Sequence, residues 1–88
     1  MAIKEFVSEL GIEKEGTFKD NFYSIELKDS DEYAHYYTLF SNSTIVELLD
    51  EGIELTEHGN KITYVNDDYE VNLIADFDSN VYNIVIKE

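Results

Sequence analysis

Cysteine, proline and tryptophan are all absent from this 88-residue sequence. Without cysteine the chain can form neither disulfides nor thiolate metal sites, and nothing indicates an oxidising compartment. Without proline, the edges of a sheet must be protected by charged side chains. The apolar runs are far shorter than the roughly 20 residues that cross a bilayer, and the first residues lack the apolar core of a signal peptide. We therefore expect a cytoplasmic protein.

Positive charge is scarce as well. Six lysines and no arginine stand against twenty aspartates and glutamates, which gives a formal net charge of −14. Because phosphate groups are bound through Lys and Arg, this composition argues against direct binding to nucleic acid or to an anionic membrane. A basic protein surface is the natural electrostatic complement. Solubility alone is the other explanation for so many carboxylates.

The hydrophobic content is 43%, with seven tyrosines and five phenylalanines. This is the composition of a folded protein, and a chain of this length has room for one hydrophobic core. We therefore predict a single acidic α+β domain over residues 1–88, on the periodicities that follow.

The start of the chain has the periodicity of an amphipathic helix. Gly11 can adopt the left-handed conformation that ends helices, and Ile12 can then fold back onto the last turn. The apolar residues of this helix, spaced i, i+3, i+4 and i+7, are Ile3, Phe6, Val7 and Leu10.

Alternating polarity predicts a strand over 22–28 and a second strand over 33–40, joined by a turn at 29–32. The second strand would have aromatic residues on both faces. We therefore expect this strand to be covered on both sides.

Residues 44–51 allow two assignments. Thr44 and Glu47 have the spacing of a capping box, and the apolar residues that follow make a helical stripe. Ile45 and Val46 are β-branched, which favours a strand. We predict a short helix here, with a strand as the alternative.

The last third of the chain has the alternation of a β-meander, with a compact turn at Gly59 and Asn60. Segments of alternating polarity cover 53–56, 62–65, 69–77 and 81–87. The residues expected on their buried faces are Tyr69, Val71, Leu73, Phe77, Tyr82, Ile84 and Ile86. The order α-β-β-α-β-β-β predicts an α+β fold, with an N-terminal helix and a mostly antiparallel sheet of about five strands.

The sequence offers little for catalysis. It has no cysteine, no G-x-S-x-G motif and no glycine-rich phosphate loop. His35 and His58 have no neighbours at metal-ligand spacing, so we expect His35 to pack within its strand and His58 to be an exposed turn residue. We predict no enzyme activity, no catalytic residues and no cofactor or metal site.

One acidic segment resembles part of a calcium-binding loop. Asp76, Asp78 and Asn80 occupy the first, third and fifth positions of an EF-hand loop. The sixth position needs glycine and is Val81, and the twelfth needs glutamate and is Lys87. We interpret the segment as an acidic turn, and a calcium-responsive module stays one alternative function.

Carboxylates and tyrosines are the candidates for a binding surface. Residues two apart on a strand point to the same side, about 6.5–7 Å apart, so Glu70, Asn72 and Asp76 are predicted to form one outward row. Tyrosine is enriched in binding hot spots, and three tyrosines of one strand cannot all face one core. The predicted partner-binding residues are Glu26, Asp29, Asp31, Glu32, Tyr33, Tyr36, Tyr37, Glu54, Asp67, Asp68, Glu70 and Asp76.

In size, acidity, lack of cysteine and compact α+β pattern, the chain resembles small phage-encoded anti-defence proteins, including DNA-mimicking anti-CRISPR proteins and restriction inhibitors. The resemblance rests on these overall properties. No motif carries it, and no individual residue is transferred from that group. It implies stoichiometric blocking of a nucleic-acid-handling protein without catalysis.

We therefore predict a non-enzymatic inhibitor or adaptor that presents its carboxylates to a basic, nucleic-acid-binding partner protein such as a nuclease. A regular negative surface of this kind could stand in for the phosphates of a duplex. The alternatives are an assembly protein that self-associates through a sheet edge or aromatic face, and the calcium-responsive module. The sequence does not distinguish a monomer from a homodimer.

Overall fold

A computed structural model describes residues 3–88 of the chain. Its elements are α1 (Ile3–Glu9), β1 (Thr17–Lys19), β2 (Phe22–Leu27), α2 (Ser30–Ser41), β3 (Glu47–Leu55), β4 (Gly59–Val65), β5 (Glu70–Asp76) and β6 (Val81–Lys87). The strands form one six-stranded sheet in the order β1-β2-β6-β5-β4-β3, and every neighbouring pair is antiparallel. The predicted α+β fold with an N-terminal helix is confirmed, with six strands in place of about five.

Helix α1 forms and ends as its sequence predicts. Its apolar stripe is buried, and Gly11 has a φ of 87°. The N–H of Gly11 donates to the carbonyl of Ser8 at 3.0 Å, and the N–H of Ile12 donates to the carbonyl of Val7 at 3.2 Å. These two bonds form a Schellman motif, which folds Ile12 back into the core.

Strand β1 has no counterpart among the predicted strands. Lys19 pairs with Phe22, so the connection to β2 contains only Asp20 and Asn21, whose φ angles are 52° and 71°. Two successive positive φ angles are typical of a type I′ turn, whose twist suits a hairpin. Asp and Asn tolerate this conformation better than most residues, so this pair is the sequence signal for the hairpin.

The predicted strand over 33–40 is wrong, because these residues belong to α2. Tyr33, Tyr36 and Phe40 are the buried residues of this helix. Their spacing of i, i+3 and i+7 is that of one helix face. The three aromatic residues that would have lain on both faces of a strand instead lie on one face of a helix.

The predicted turn at 29–32 is the N-terminus of α2. Asp29 caps the helix, since its Oδ1 accepts a hydrogen bond from the N–H of Glu32 at 3.0 Å. Glu32 Oε1 in turn accepts a hydrogen bond from the N–H of Lys28 at 2.5 Å. The first bond satisfies a backbone donor that the first helical turn leaves free, and the second ties Glu32 to the residue before the cap.

The predicted helix over 44–51 is wrong, and the alternative strand is correct, since β3 begins at Glu47. Ser43 Oγ accepts hydrogen bonds from the N–H groups of Ile45 at 3.1 Å and Val46 at 3.4 Å. This local turn takes the place of the capping box. Val46 is then buried, and pairing with β4 fixes the residues that follow.

The predicted turn at Gly59 and Asn60 lies slightly earlier in the chain, because β4 already begins at Gly59. The N–H of Thr56 donates to the carbonyl of Gly59 at 3.0 Å. The N–H of Gly59 donates to Oγ1 of Thr56 at 2.9 Å. Residues 56–59 thus close the β3–β4 hairpin.

Both helices contribute to the core on one face of the sheet. Residues that pair across two antiparallel strands point to the same face of the sheet. The pairing of the strands therefore shows which side chains lie on the face that the helices cover. Six of the seven residues expected on the buried faces of the meander are buried, but Phe77 is 49% exposed and Ala75 is buried in its place. Phe77 follows the last residue of β5, which explains the error.

One buried row across four strands consists of Tyr23, Ile86, Val71 and Tyr64.

Candidate protein-binding groove

The second half of β3 is an edge strand with exposed apolar side chains. Ile53 pairs with Ile62, which is buried in the core, so Ile53 lies on the helix-bearing face of the sheet. Ile53 is nevertheless 56% exposed, and Leu55 is 81% exposed. This end of the sheet therefore presents apolar surface that the helices do not cover.

A groove of about 410 Å³ lies between helix α2 and this end of the sheet. Its α2 wall contains Tyr33 and Tyr37, separated by one helical turn. Tyr37 is 43% exposed, so the groove opens to the surface. All its lining residues are Ser30, Tyr33, Ala34, Tyr37, Ile53, Asn60, Ile62 and Phe77.

A buried tyrosine holds the base of the groove. The hydroxyl of Tyr33 donates a hydrogen bond to Oδ1 of Asn60 at 2.5 Å. The ring of Tyr33 contacts the ring of Phe77 edge to face at 5.9 Å, and that of Tyr82 at 5.5 Å. Burial raises the pKa of Tyr33 above its usual value. These contacts hold α2 and β4 at a set separation.

The turns between β3 and β4 and between β5 and β6 meet at one end of the groove. The N–H of Phe77 donates to the carbonyl of His58 at 2.9 Å. His58 Nδ1 lies 2.6 Å from Oδ2 of Asp78, and its Nε2 lies 3.7 Å from Oε2 of Glu57. As expected, His58 is an exposed turn residue. His35, expected to pack within a strand, is instead exposed on α2.

Carboxylates lie on both elements that form the groove. Asp31 adjoins Ser30 on α2, and Asp50 and Glu51 precede Ile53 on β3. These three carboxylates, which we name the acidic rim, are exposed, and neither α2 nor β3 contains a lysine or an arginine. Glu54 follows Ile53 in sequence but lies on the other face of the sheet, where it pairs with Lys61.

A large bulge interrupts β3 beside the acidic rim. Leu48 pairs with Tyr64 and Ile53 pairs with Ile62. Residues 49–52 of β3 thus lie opposite the single residue between Ile62 and Tyr64. Such an irregularity breaks the row of backbone groups that an edge strand offers to another strand.

Two of the predicted partner-binding carboxylates stabilise α2. Asp29 is its N-cap, and Glu32 Oε1 accepts a hydrogen bond from Nζ of Lys14 at 2.6 Å. That bond, and then the bond from the N–H of Lys28, lower the pKa of Glu32. The pair of Glu32 and Lys14 ties the loop after α1 to α2.

Of the three predicted partner-binding tyrosines, only Tyr37 is exposed. Tyr33 and Tyr36 are 7% and 4% exposed. Burial raises the pKa of Tyr36 as well as that of Tyr33. The three tyrosines therefore do not all face the core, as expected, although they lie on a helix and not on a strand.

Four predicted carboxylates lie on the sheet face opposite the helices, which we call the open face. Lysines share this face, because Lys61 pairs with Glu54 and Lys87 pairs with Glu70. The open face is therefore mixed in charge. The four carboxylates are Glu26, Glu54, Glu70 and Asp76.

The predicted row of Glu70, Asn72 and Asp76 lies on one face of β5, the open face. Its middle residue, Asn72, is only 5% exposed. The hydroxyl of Thr63 donates to Asn72 Oδ1 at 2.9 Å, and Asn72 Nδ2 donates to Glu70 Oε2 at 3.1 Å. The three residues therefore share the predicted face, but Asn72 is enclosed by its neighbours.

The remaining predicted residues, Asp67 and Asp68, are exposed in the turn between β4 and β5. Asn66 Oδ1 accepts hydrogen bonds from the N–H groups of Asp68 at 2.8 Å and Tyr69 at 2.7 Å. This Asx turn is not part of the groove lining.

The calcium-like segment is an Asx turn as well. Asp76 Oδ1 accepts hydrogen bonds from the N–H groups of Asp78 at 3.1 Å and Ser79 at 3.0 Å. Its carboxylate thus closes the hairpin between β5 and β6. Within residues 3–88, no group of three or more His, Asp or Glu side chains is arranged to hold a metal ion.

Two other depressions lie near α1 and β1. Lysines and glutamates stand side by side in their walls, among them Lys14, Glu15 and Lys19. Protein interfaces have an apolar centre and a polar rim. The groove beside α2 matches that pattern better than these depressions do.

Sequence reasoning missed the groove residues that lie outside α2, namely Ile53, Asn60, Ile62 and Phe77. The alternation of Ile53, Glu54 and Leu55 was a signal for a strand. Nothing in it showed that the strand would lie at an edge with both apolar residues exposed. The strand order, in which β3 is outermost, decides that point.

In the part of the chain that the structure describes, no helix is long and apolar enough to cross a membrane. Comparison of the chain with protein-family models, with curated proteins and with solved structures finds no match.

Proposed function

We propose that this chain is a non-enzymatic inhibitor or adaptor that binds a basic, nucleic-acid-binding partner protein. The observation that carries the proposal is the apolar groove between α2 and β3, two elements that carry the acidic rim and contain no lysine or arginine. Exposed apolar patches rimmed by polar residues are typical of interaction sites. A net charge of −14 would attract a basic partner from a distance.

The proposal includes the DNA-mimic mode that the resemblance to phage-encoded anti-defence proteins implies. A mimic of duplex phosphates needs negative charge without intervening cations. On the open face, Lys61 and Lys87 pair with Glu54 and Glu70. The side formed by α2 and β3 is therefore the better candidate for a surface that occupies a nucleic-acid groove.

A competition experiment with duplex DNA tests the proposal. Purified DNA-binding nucleases are loaded with a fluorescently labelled duplex, and anisotropy follows its release as the chain is added. We expect release from at least one nuclease at about 0.05 M salt and much weaker release at about 0.5 M, because salt screens charge pairing. Release that is equally strong at both salt concentrations would contradict the electrostatic mechanism, and no release from any nuclease would contradict the function.

Two variants with the same net charge test whether DNA release depends on the acidic rim or only on the overall negative charge of the chain. The first converts the acidic rim to amides, as Asp31→Asn, Asp50→Asn and Glu51→Gln. The control converts three exposed carboxylates near α1, as Glu5→Gln, Glu9→Gln and Glu13→Gln. We expect DNA release to be lost in the first variant and retained in the control. Equal loss in both would show that net charge alone is responsible.

Self-association through β3 is a second candidate function, favoured by the 81% exposure of Leu55 on an edge strand. Because β3 is acidic, salt should strengthen contact between two copies. Sedimentation at low and high salt tests this candidate. A monomer at both salt concentrations would exclude it.

A further inference from the structure

The groove has the length of two helical turns. Its α2 wall runs from Ser30 to Tyr37, which corresponds to roughly 10 Å along the helix axis at about 1.5 Å per residue. Side chains at i, i+3 or i+4, and i+7 of a second helix span the same length. A helix lying beside α2 could therefore place three apolar side chains in the groove.

The position of the groove suits a helix better than a strand. Its lining comes from the helix-bearing face of β3 and β4, where helices of an α+β fold pack. An added strand would instead need the backbone edge of β3. That edge is interrupted by the bulge between Leu48 and Ile53, which hinders regular pairing.

The charges on β3 favour a basic partner over a second copy of this chain. β3 carries Glu47, Asp50, Glu51 and Glu54 without a cation, so a second copy placed edge to edge would bring like charges together. Lys or Arg side chains flanking the apolar face of a partner helix would instead pair with the acidic rim. A helix with an apolar face flanked by basic side chains thus complements both the apolar lining of the groove and the acidic rim.

We infer that the groove is the docking site for an amphipathic helix of the partner protein, with apolar residues on one face and Lys or Arg beside them. The inference rests on the proposed function and specifies the part of the partner that is bound. It uses helix-in-groove recognition, in which anchors at i, i+3 or i+4, and i+7 enter an apolar cleft. The groove residues Tyr37, Ile53 and Phe77 would contact these anchors.

Designed peptides test the inference. Two labelled peptides of about 15 residues contain the same numbers of Leu and Lys, one with Leu at helical spacing and one with Leu and Lys alternating as in a strand. We expect the helical pattern to bind the intact chain roughly tenfold more tightly, with a rise in helical circular dichroism. Equal binding of both peptides would overturn the inference, because it would reflect charge alone.

Two exposed apolar residues provide a matched pair of variants. Ile53 in the groove and Phe18 on β1 are each 56% exposed, and β1 and β3 are opposite edges of the sheet. We expect Ile53→Asp to weaken binding of the helical peptide roughly tenfold and Phe18→Asp to leave it nearly unchanged. Both changes add one negative charge, so attraction to a cationic peptide alone predicts no loss. Equal effects of the two variants would overturn the inference.

Chemical-shift mapping on the unaltered chain removes any dependence on the folding of variants. The helical peptide should shift the backbone amide signals of Tyr37, Ile53 and Asn60. Shifts confined to the open face or to β1 would place the peptide elsewhere and contradict the inference.

The two proposals can fail separately. If amides in the acidic rim abolish DNA release but Ile53→Asp does not, the proposed function stands and the helix site is wrong. If the helical peptide binds as expected but no nuclease releases DNA, the groove binds helices and the proposed partner class is wrong.

Discussion

The hydroxyl of Tyr33 donates a 2.5 Å hydrogen bond to the side chain of Asn60. This bond joins α2 to β4 although 27 positions separate the two residues in the chain. It forms the base of the groove, because both residues line it.

Removal of this bond should reduce stability. We expect Tyr33→Phe to lower the free energy of unfolding by about 1 kcal/mol, since it removes a partly buried hydrogen bond and keeps the ring. Tyr37→Phe, on an exposed side chain, is the control and should change stability little. Urea denaturation of the three proteins measures the difference. Equal stability of the Tyr33 variant and the unaltered chain would show that the bond contributes nothing.

The N-cap of α2 gives a second prediction. Asp29→Ala removes the acceptor that Oδ1 provides to the N–H of Glu32. We expect it to cost about 1 kcal/mol of unfolding free energy. Asp29→Asn keeps an acceptor at this position and should cost much less. If both substitutions have the same effect, charge at the helix terminus matters and the hydrogen bond does not.

Glu32 makes stability depend on pH in a defined direction. Its hydrogen bond from Lys14, and next that from the N–H of Lys28, lower its pKa below the usual value of 4.5. A lowered pKa in the folded state contributes stability above the unfolded pKa, and this contribution is lost as pH falls through the folded pKa. The Glu32 and Lys14 side chains are each 31% exposed, so the effect is small and sensitive to salt.

Urea denaturation of the unaltered chain and of Glu32→Gln at several pH values tests this. We expect the difference in unfolding free energy to be present near neutral pH and to disappear in acid below 4.5. Lys14→Gln removes the same ion pair from the other side and should show the same pH dependence. A difference that does not change with pH would contradict the assignment.

Repulsion among carboxylates should make the fold sensitive to salt. With a net charge of −14, screening favours the compact state. We expect the melting temperature to rise between about 0.02 M and 0.5 M sodium chloride. The variant with amides in the acidic rim should melt higher at low salt and respond less to added salt. A melting temperature that does not depend on salt would show that the charges are too dispersed to repel strongly.

Local sequence determined several elements directly. Helix α1 follows from a complete apolar stripe and from Gly11, whose φ of 87° suits the left-handed end of a helix. Strand β6 follows from the alternation of Tyr82, Ile84 and Ile86. In both cases the periodicity and the burial agree, since one face of the element meets the core.

Other segments carried two local signals, and tertiary contacts chose between them. Tyr33, Tyr36 and Phe40 fit a helix, but the many aromatics of 33–40 also suggested a strand. Packing of these three rings in the core requires the helix. Residues 44–51 contained capping-box spacing, but pairing with β4 made most of the segment a strand.

The sequence by itself determined that this chain is acidic, lacks cysteine and has the periodicities of an α+β fold. Only the tertiary structure decided where the apolar groove lies. Strand order made β3 an edge and left Ile53 and Leu55 exposed, and packing of α2 placed Tyr37 beside Ile53 in one groove. Periodicity reports which face of an element is apolar, but exposure of that face depends on neighbours that are distant in sequence.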